Sequence, residues 1–209
     1  VSYRTGGWHR WRVVAGDAQF AAGGRPIRLL TPAGPVEYRG TLRSASPSAV
    51  GLDRDTVNIL PLDSYLRGVV PSEVIASVWE PDAIRAQAVA ARTYAAYERD
   101  HASSSRHYQI CDTALCQVYG GYTAEYSTSD DAVQATARQI ITSGGEPAFA
   151  QFSASNGGYS VAGSFDYLQA QADPYDHYDP DGDGTDGWRT TVTAAEIEEA
   201  YGLDDLAAI

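Results

Sequence analysis

The chain has 209 residues, 44% of them hydrophobic and 20% charged, a globular composition that argues against a disordered chain. Its formal net charge of −12 at pH 7 would repel phosphate backbones and anionic membranes, so we expect no nucleic-acid partner. No apolar run is long enough to span a bilayer, so the sequence predicts no membrane span.

Residues 1 to about 60 are predicted to be rich in β-structure. Short apolar stretches alternate there with glycine and proline, which is the pattern of short strands joined by turns. The stretches are Val13–Val14, Ile27–Leu30, Val36–Tyr38 and Val57–Leu60.

Helical patterns begin near Asp63. A short helix over 63–67 is expected to end before Pro71, because proline disfavours helical geometry in the residue before it. A loop is predicted over 74–80. The clearest helix then runs from Pro81 to about Glu98, and it places Arg85, Arg92 and Arg99 at seven-residue steps on nearly one face.

The rest of the chain mixes helices with turns. The predicted features are a helix from Ser129 to about Arg138, a hairpin of 139–142 with 147–152, a tight turn at 156–158, an acidic loop over 173–186, and a last helix between the capping box Thr193/Glu196 and Gly202. This order predicts an α+β fold, with a β-rich part followed by helices and a hairpin. We expect one domain over 1–209, with a β-rich lobe over about 1–60, a mixed lobe over about 61–209, and a cleft between them.

Glu73 is the first candidate for chemistry. Val69-Val70-Pro71 precede it and Val74-Ile75 follow it, so the carboxyl group is expected to be partly desolvated. Desolvation favours the protonated form that a general acid needs. The alternative is a solvent-facing glutamate at a helix end.

Arg85 and Arg92 could orient a carboxylate or bind sugar hydroxyls. The alternative for such helical arginines is a solvated helix face. Arg92 fits that alternative less well, because it follows the apolar run Ala88-Val89-Ala90-Ala91.

Two further groups of residues are candidates for metal ions or a disulfide. Cys111 and Cys116 are expected to form a disulfide, and the alternatives are a zinc site with His107 or free thiols. Asp179, Asp181 and Asp183 resemble the first half of a calcium-binding loop, but the closing glutamate is missing, so a solvated acidic loop is the alternative. A calcium-dependent carbohydrate-binding module is therefore one of the functions considered.

The segment Phe152–Tyr159 places small hydroxyls and an amide on a turn after a strand, where they could face a cleft. A serine hydrolase is not indicated, because none of the four histidines lies in a recognisable motif.

Four stretches in this order resemble the stage II sporulation protein D / LytB family. They are LDSYLRGVVPSE (62–73), AIRAQAVAARTY (83–94), CDTALCQVYGG (111–121) and FSASNGGY (152–159). Asp173-Pro174-Tyr175-Asp176 and Trp188 resemble the family's closing features, so the likeness runs from about residue 38 to the end.

The resemblance implies a lytic transglycosylase that cleaves the N-acetylmuramic acid–N-acetylglucosamine bonds of peptidoglycan, preferably in strands without stem peptides. Its catalytic acid/base falls on Glu73. The substrate-binding residues expected around it are Arg85, Arg92, Gln117, Tyr119, Ser153, Ser155, Asn156 and Tyr159. The family's usual residues are replaced at Val74, Arg85 and Asn156, and some relatives bear zinc near the third stretch.

The same motifs occur in relatives that stimulate a cell-wall amidase without cutting glycan, so a non-catalytic amidase enhancer is the alternative function. An enzyme of this kind would be secreted or held in the cell envelope. It would require no cofactor, with zinc or calcium only as structural ions.

Overall fold

The computed structural model of the chain describes residues 2–10, 15–47, 53–176 and 191–202. These residues belong to two compact units, Val1–Phe152 and Ser153–Ile209, and each is described by itself. Val13–Val14, the candidate calcium ligands Asp179, Asp181 and Asp183, and Trp188 lie outside the described residues.

The first unit begins with short antiparallel strands. They are β1 (Ser2–Thr5), β2 (Gly7–Arg10), β3 (Ala18–Ala21), β4 (Ile27–Thr31), β5 (Gly34–Tyr38), β6 (Thr41–Ala45) and β7 (Asp55–Ile59). β1 pairs with β2 and β4 with β5 as hairpins, while β3, β6 and β7 form a three-stranded sheet with β6 in the centre. Leu42 on β6 lies opposite Phe20 and Asn58 and is buried.

Helices dominate the rest of this unit, which confirms the predicted α+β class. They are α1 (Leu62–Glu73), α2 (Pro81–Asp100) and α3 (Ser127–Ala135), with a 3₁₀ turn at Tyr122–Ala124. The predicted hairpin is present but short, with only β8 (Thr142–Ser143) and β9 (Glu146–Pro147) paired. The strand does not continue to 152, and Phe149 instead packs against Tyr94 and Tyr97 of α2.

The prediction that the first helix ends before Pro71 is wrong. α1 contains Pro71 and continues to Glu73, although a proline removes one helical hydrogen bond. Burial of Val69, Val70 and Val74 in the core outweighs that loss, and the Val74 amide still donates to the Val70 carbonyl at 3.1 Å. Glu73 is therefore the last residue of a packed helix.

The core forms where the three helices meet. Alanines 88, 91 and 95 on the inner face of α2 have small side chains, so α1 and α3 can approach this face closely. The larger buried side chains are Tyr65, Leu66, Val69, Val70 and Val74 from α1 and its cap, Ile84 from α2 and Val133 from α3.

Arg92 connects the three helices through a buried guanidinium that is 2% exposed. Its Nε donates to Asp63 at the start of α1 at 3.0 Å, and its Nη2 donates to the Val133 carbonyl at 2.9 Å. Its Nη1 lies within 3.3 Å of the Thr136 hydroxyl and the Gln139 carbonyl. Every donor nitrogen is therefore engaged within the protein, and Arg92 does not reach a substrate surface.

The second unit contains the hairpin of β10 (Tyr159–Ser160) with β11 (Gln171–Ala172), and the helix α4 (Ala194–Tyr201). The predicted capping box is confirmed, because the Thr193 and Glu196 side chains and backbones bond reciprocally, and Gly202 closes the helix with φ 63°. Within the described ranges, neither unit has a helix of the length and hydropathy that crossing a membrane requires.

We predict that Arg92→Ala lowers the free energy of unfolding by about 3 kcal/mol, because it leaves buried carbonyls without donors. Arg85→Ala is the matched control one heptad earlier on α2, where an exposed pair with Asp82 should contribute less than about 0.5 kcal/mol. Urea unfolding of both variants measures the difference. Equal losses would contradict the role assigned to the buried guanidinium.

Candidate functional site

Glu73 is half-buried at the end of α1. Its Oε1 accepts a hydrogen bond from the backbone N–H of Val118 at 2.8 Å. Among the described residues its Oε2 has no hydrogen-bond partner. One oxygen is thus fixed by the protein, and the other remains available to carry a proton.

Gly68 allows the segment 117–121 to approach α1 closely enough to make this contact. A Cβ at Gly68 would lie 2.6 Å from the ring of Tyr119 and 2.8 Å from the carbonyl of Gly121. The Gly68 carbonyl also accepts the N–H of Gly120 at 3.0 Å. A side chain at position 68 would push the segment, and with it the Val118 amide, away from Glu73.

Gln117 and Tyr119, both predicted substrate contacts, lie on this segment. Gln117 is buried, where it accepts the Tyr65 hydroxyl and donates to the Ala91 carbonyl, each at 3.2 Å. It therefore holds the segment against α1 and α2 and is not presented to a substrate. The Tyr119 hydroxyl donates to Asn58 at 2.7 Å. Burial raises the pKa of both Tyr65 and Tyr119, so both phenols stay neutral donors at physiological pH.

Arg85 and Arg92 do not lie on a common exposed surface. Arg85 is exposed and pairs with Asp82 at 2.7 Å, whereas Arg92 is enclosed by the end of α3 and the start of α1. Only Arg85 of the two could meet a ligand from solvent.

The three candidate zinc ligands do not form a ligand set. Cys111 and Cys116 are joined by a disulfide, which engages both thiols. The Nε2 of His107 is bonded to Asp55 at 2.7 Å. Across the ranges given above, no three His, Cys, Asp or Glu side chains are grouped so that they could hold a metal ion.

Exposed apolar side chains follow Glu73 in the chain and also lie on, or just before, the segment 117–121 that binds it; the sequence reasoning did not predict their exposure. We call Ile75, Val78, Trp79, Leu115 and Val118 the apolar rim. Leu115 is 91% exposed, Val78 73% and Trp79 46%. A signal was present in the loop predicted over 74–80, because a short loop between two helices rarely buries all of its large apolar residues.

Glu73 lines neither of two cavities in the first unit. The larger, of about 1000 Å³, lies between β6, β7, α1, the end of α2 and the segment 102–112. The smaller, of about 740 Å³, is lined by the bidentate pair of Arg39 with Glu125 and by Tyr122, Tyr126 and Asp130. Burial raises the pKa of Asp130, whose Oδ1 is buried without a hydrogen-bond partner in the described part of the chain. No sequence pattern had indicated either cavity.

The predicted contact residues Ser153, Ser155, Asn156 and Tyr159 all lie in the second unit. There the Asp176 carboxylate accepts the Ser155 hydroxyl at 3.0 Å and the backbone N–H of Asn156 and Gly158. The Asn156 side chain donates to Asp173 at 3.0 Å. Most donors of this turn are thus taken by the aspartates, while the Tyr159 side chain is exposed.

We predict that this turn loses its hydrogen bonds in acid. The N–H of Asn156, followed by the Ser155 hydroxyl and further amides, holds the pKa of Asp176 below its ordinary value of 3.8. Because the folded pKa is the lower one, the stabilisation is complete above 3.8 and disappears as the pH falls through the folded value. NMR titration should therefore show the Asn156 and Gly158 amide signals moving with the Asp176 carboxyl signal. In Asp176→Asn this titration should vanish, and its persistence would refute the assignment.

Comparisons with known proteins match the part of the chain that carries Glu73. Residues 52–143 match the SpoIID family model, described as "Stage II sporulation protein". The chain is 34% identical over 139 residues to the "Amidase enhancer" of Bacillus subtilis (strain 168), covering 64% of the chain and 17% of that protein. It is 29% identical over 190 residues to "Stage II sporulation protein D" of the same strain, covering 79% of the chain and 54% of that protein.

An uncharacterised protein of Brachyspira hyodysenteriae (strain ATCC 49526 / WA1) is 33% identical over 125 residues, covering 60% of the chain and 33% of that protein. The chain thus spans between 17% and 54% of the length of these three relatives. The family match and the named relatives agree with the resemblance carried by the four sequence motifs. The family match and the relative named stage II sporulation protein D support membership of the SpoIID family.

Proposed function

We propose that the chain acts on the bacterial cell wall and cleaves peptidoglycan glycan strands as a lytic transglycosylase, with Glu73 as general acid and base. The observation that carries the proposal is the state of the Glu73 carboxyl group, with Oε1 held by the Val118 amide and Oε2 available. The match to the SpoIID family supports the assignment to the cell wall.

The geometry of Glu73 suits a group that must donate a proton and then accept one. The fixed oxygen restricts the rotation of the carboxyl group, so the available oxygen keeps one direction toward the substrate. The position at the end of a packed helix reinforces this restriction, because the backbone of Glu73 cannot move without the core residues Val70 and Val74.

The reaction needs only this one carboxyl group. Protonated Glu73 gives its proton to the glycosidic oxygen, and the bond from that oxygen to C1 of N-acetylmuramic acid breaks. The C6 hydroxyl oxygen of the same sugar bonds to C1, and its proton passes to the Glu73 carboxylate. The products are a free sugar hydroxyl and a 1,6-anhydro ring, and no water is consumed. A hydrolase of the usual kind would need a second carboxylate placed to activate water or attack.

The surroundings of Glu73 are compatible with a sugar ligand. The exposed ring of Trp79 follows Glu73 by six residues and offers a flat apolar surface of the kind that sugar rings stack on. Arg85 is an exposed cation on the helix that begins directly after this loop. A preference for strands without stem peptides and a location in the cell envelope form part of the proposal.

We predict that Glu73→Gln reduces the release of anhydro-sugar products from purified peptidoglycan by at least about 100-fold, because glutamine cannot donate the proton. Glu80→Gln is the matched control, since Glu80 is an exposed carboxylate seven residues further along the chain. Mass spectrometry of the products measures both variants and separates anhydro-sugars from hydrolysis products, which are heavier by one water. Wild-type rates in Glu73→Gln would exclude the mechanism.

A second candidate function is a non-catalytic amidase enhancer that binds glycan and stimulates an N-acetylmuramoyl-L-alanine amidase. The apolar rim favours it, because exposed aliphatic side chains such as Leu115 and Val78 suit a protein partner better than a sugar. The relative named "Amidase enhancer" gives the partner class.

If the chain is an enhancer, Leu115→Glu should reduce its stimulation of the amidase about fivefold or more, because a charge in an apolar contact is poorly accommodated. Val161→Glu is the control, since Val161 is also a highly exposed aliphatic residue but lies in the second unit. The assay measures amidase turnover on purified wall with and without each variant. Equal stimulation by wild type and Leu115→Glu would remove the apolar rim as the partner surface.

A further inference from the structure

We propose that the larger cavity of the first unit is a second binding site, for a short peptide with a free C-terminal carboxylate and small apolar side chains. The site is separate from the Glu73 carboxyl group, which does not line it. The inference does not depend on the chemistry proposed for Glu73, because it concerns binding alone.

Part of the cavity wall is apolar. Leu42 of β6, Tyr65 of α1 and Ala95 of α2 line it and are buried, and Leu60 and Ile110 add partly buried aliphatic surface. A volume of about 1000 Å³ is large enough for two or three small residues. These side chains can pack against the small aliphatic groups of a ligand.

The cavity wall is richer in basic side chains than the chain as a whole. The whole sequence has 27 acidic and 15 basic residues, and every basic residue is an arginine. The wall has three of these arginines, Arg43, Arg99 and Arg106, and two aspartates, Asp55 and Asp112, while Asp100 outside the wall pairs with Arg99. Asp55 is already bonded to His107, which also lines the cavity. A concentration of arginines in an acidic protein favours an anionic ligand.

The three arginines keep donors that the protein does not use. The Nη2 of Arg43 donates to the His107 carbonyl, while its Nε is buried without a partner. Arg99 gives Nε and Nη2 to Asp100, and Arg106 gives Nη2 to the Gln109 carbonyl at 3.4 Å. Within the described structure, Nη1 of each arginine has no hydrogen-bond partner. The N–H groups of each unused Nη1 can donate to the oxygens of a carboxylate.

A short apolar peptide with a C-terminal carboxylate suits both parts of the cavity. Its carboxylate can pair with the arginines, and its small side chains can pack against the aliphatic part of the wall. A phosphate-rich polymer would carry many charges into the field of a chain with net charge −12, so it fits less well. The C-terminal carboxylate of an alanine-rich peptide has the required chemistry. Cell-wall stem peptides that end in D-alanine have such a carboxylate, and so do ordinary L-peptides.

The test is a titration of the folded chain with N-acetyl-D-alanyl-D-alanine, its L,L enantiomer and its C-terminal amide, followed by NMR of the arginine Nε–H groups. We expect the free acid to bind and to shift the signals of Arg99 and Arg106, and the amide to bind at least about fivefold more weakly. Binding of either enantiomer supports the site, and a preference for one identifies the source of the peptide.

Arg99→Gln should weaken binding about fivefold, and Arg85→Gln should leave it unchanged. The two are a close match, because each is on α2, each side chain is 50% exposed and each pairs with an aspartate, but only Arg99 lines the cavity. Circular dichroism confirms that both variants are folded. Absence of binding by the free acid, equal binding of acid and amide, or equal effects of the two substitutions would each overturn the proposal.

Discussion

The close approach of the segment 117–121 to α1 is the constraint on which the candidate site depends. Gly68 provides the space, and the ring of Tyr119 and the carbonyl of Gly121 occupy it. Once docked, the segment places three consecutive residues in three environments. Gln117 enters the core, the Val118 amide binds Glu73, and Tyr119 lines the larger cavity. The position of the carboxyl group therefore follows from a packing contact more than from any charge near it.

Arg92 holds the helices in position through hydrogen bonds, whereas Gly68 allows the segment 117–121 to dock. Its guanidinium joins the start of α1 to the end of α3, which fixes the two ends of the bundle around α2. A buried cation is tolerated there because backbone carbonyls and Asp63 satisfy its donors. The family motif that contains Arg92 can therefore be understood as a packing requirement, and the chemistry need not involve the arginine directly.

The sequence predicted the fold class, α2, the last helix with its cap, and the strands β4, β5 and β7, because each depends on local periodicity or on residues close in the chain. It failed at Pro71, where long-range burial of Val69, Val70 and Val74 overrides a local preference. It also assigned Arg92 and Gln117 to substrate binding, since residue type alone does not reveal which polar groups a core will enclose. The larger cavity escaped prediction because its arginines come from a strand, a helix and a loop that only the folded chain brings together.

The covalent ring closed by Cys111 and Cys116 ends one residue before Gln117. Such a ring narrows the conformations open to the neighbouring backbone before folding, so less entropy is lost when the segment docks on α1. The hydrogen bond from Val118 to Glu73 therefore depends on the redox state of the surroundings, although neither sulfur atom contacts the Glu73 carboxyl group. In an oxidising compartment the disulfide restricts the segment 117–121 before it docks on α1. In a reducing compartment the same segment would have to become ordered without the disulfide.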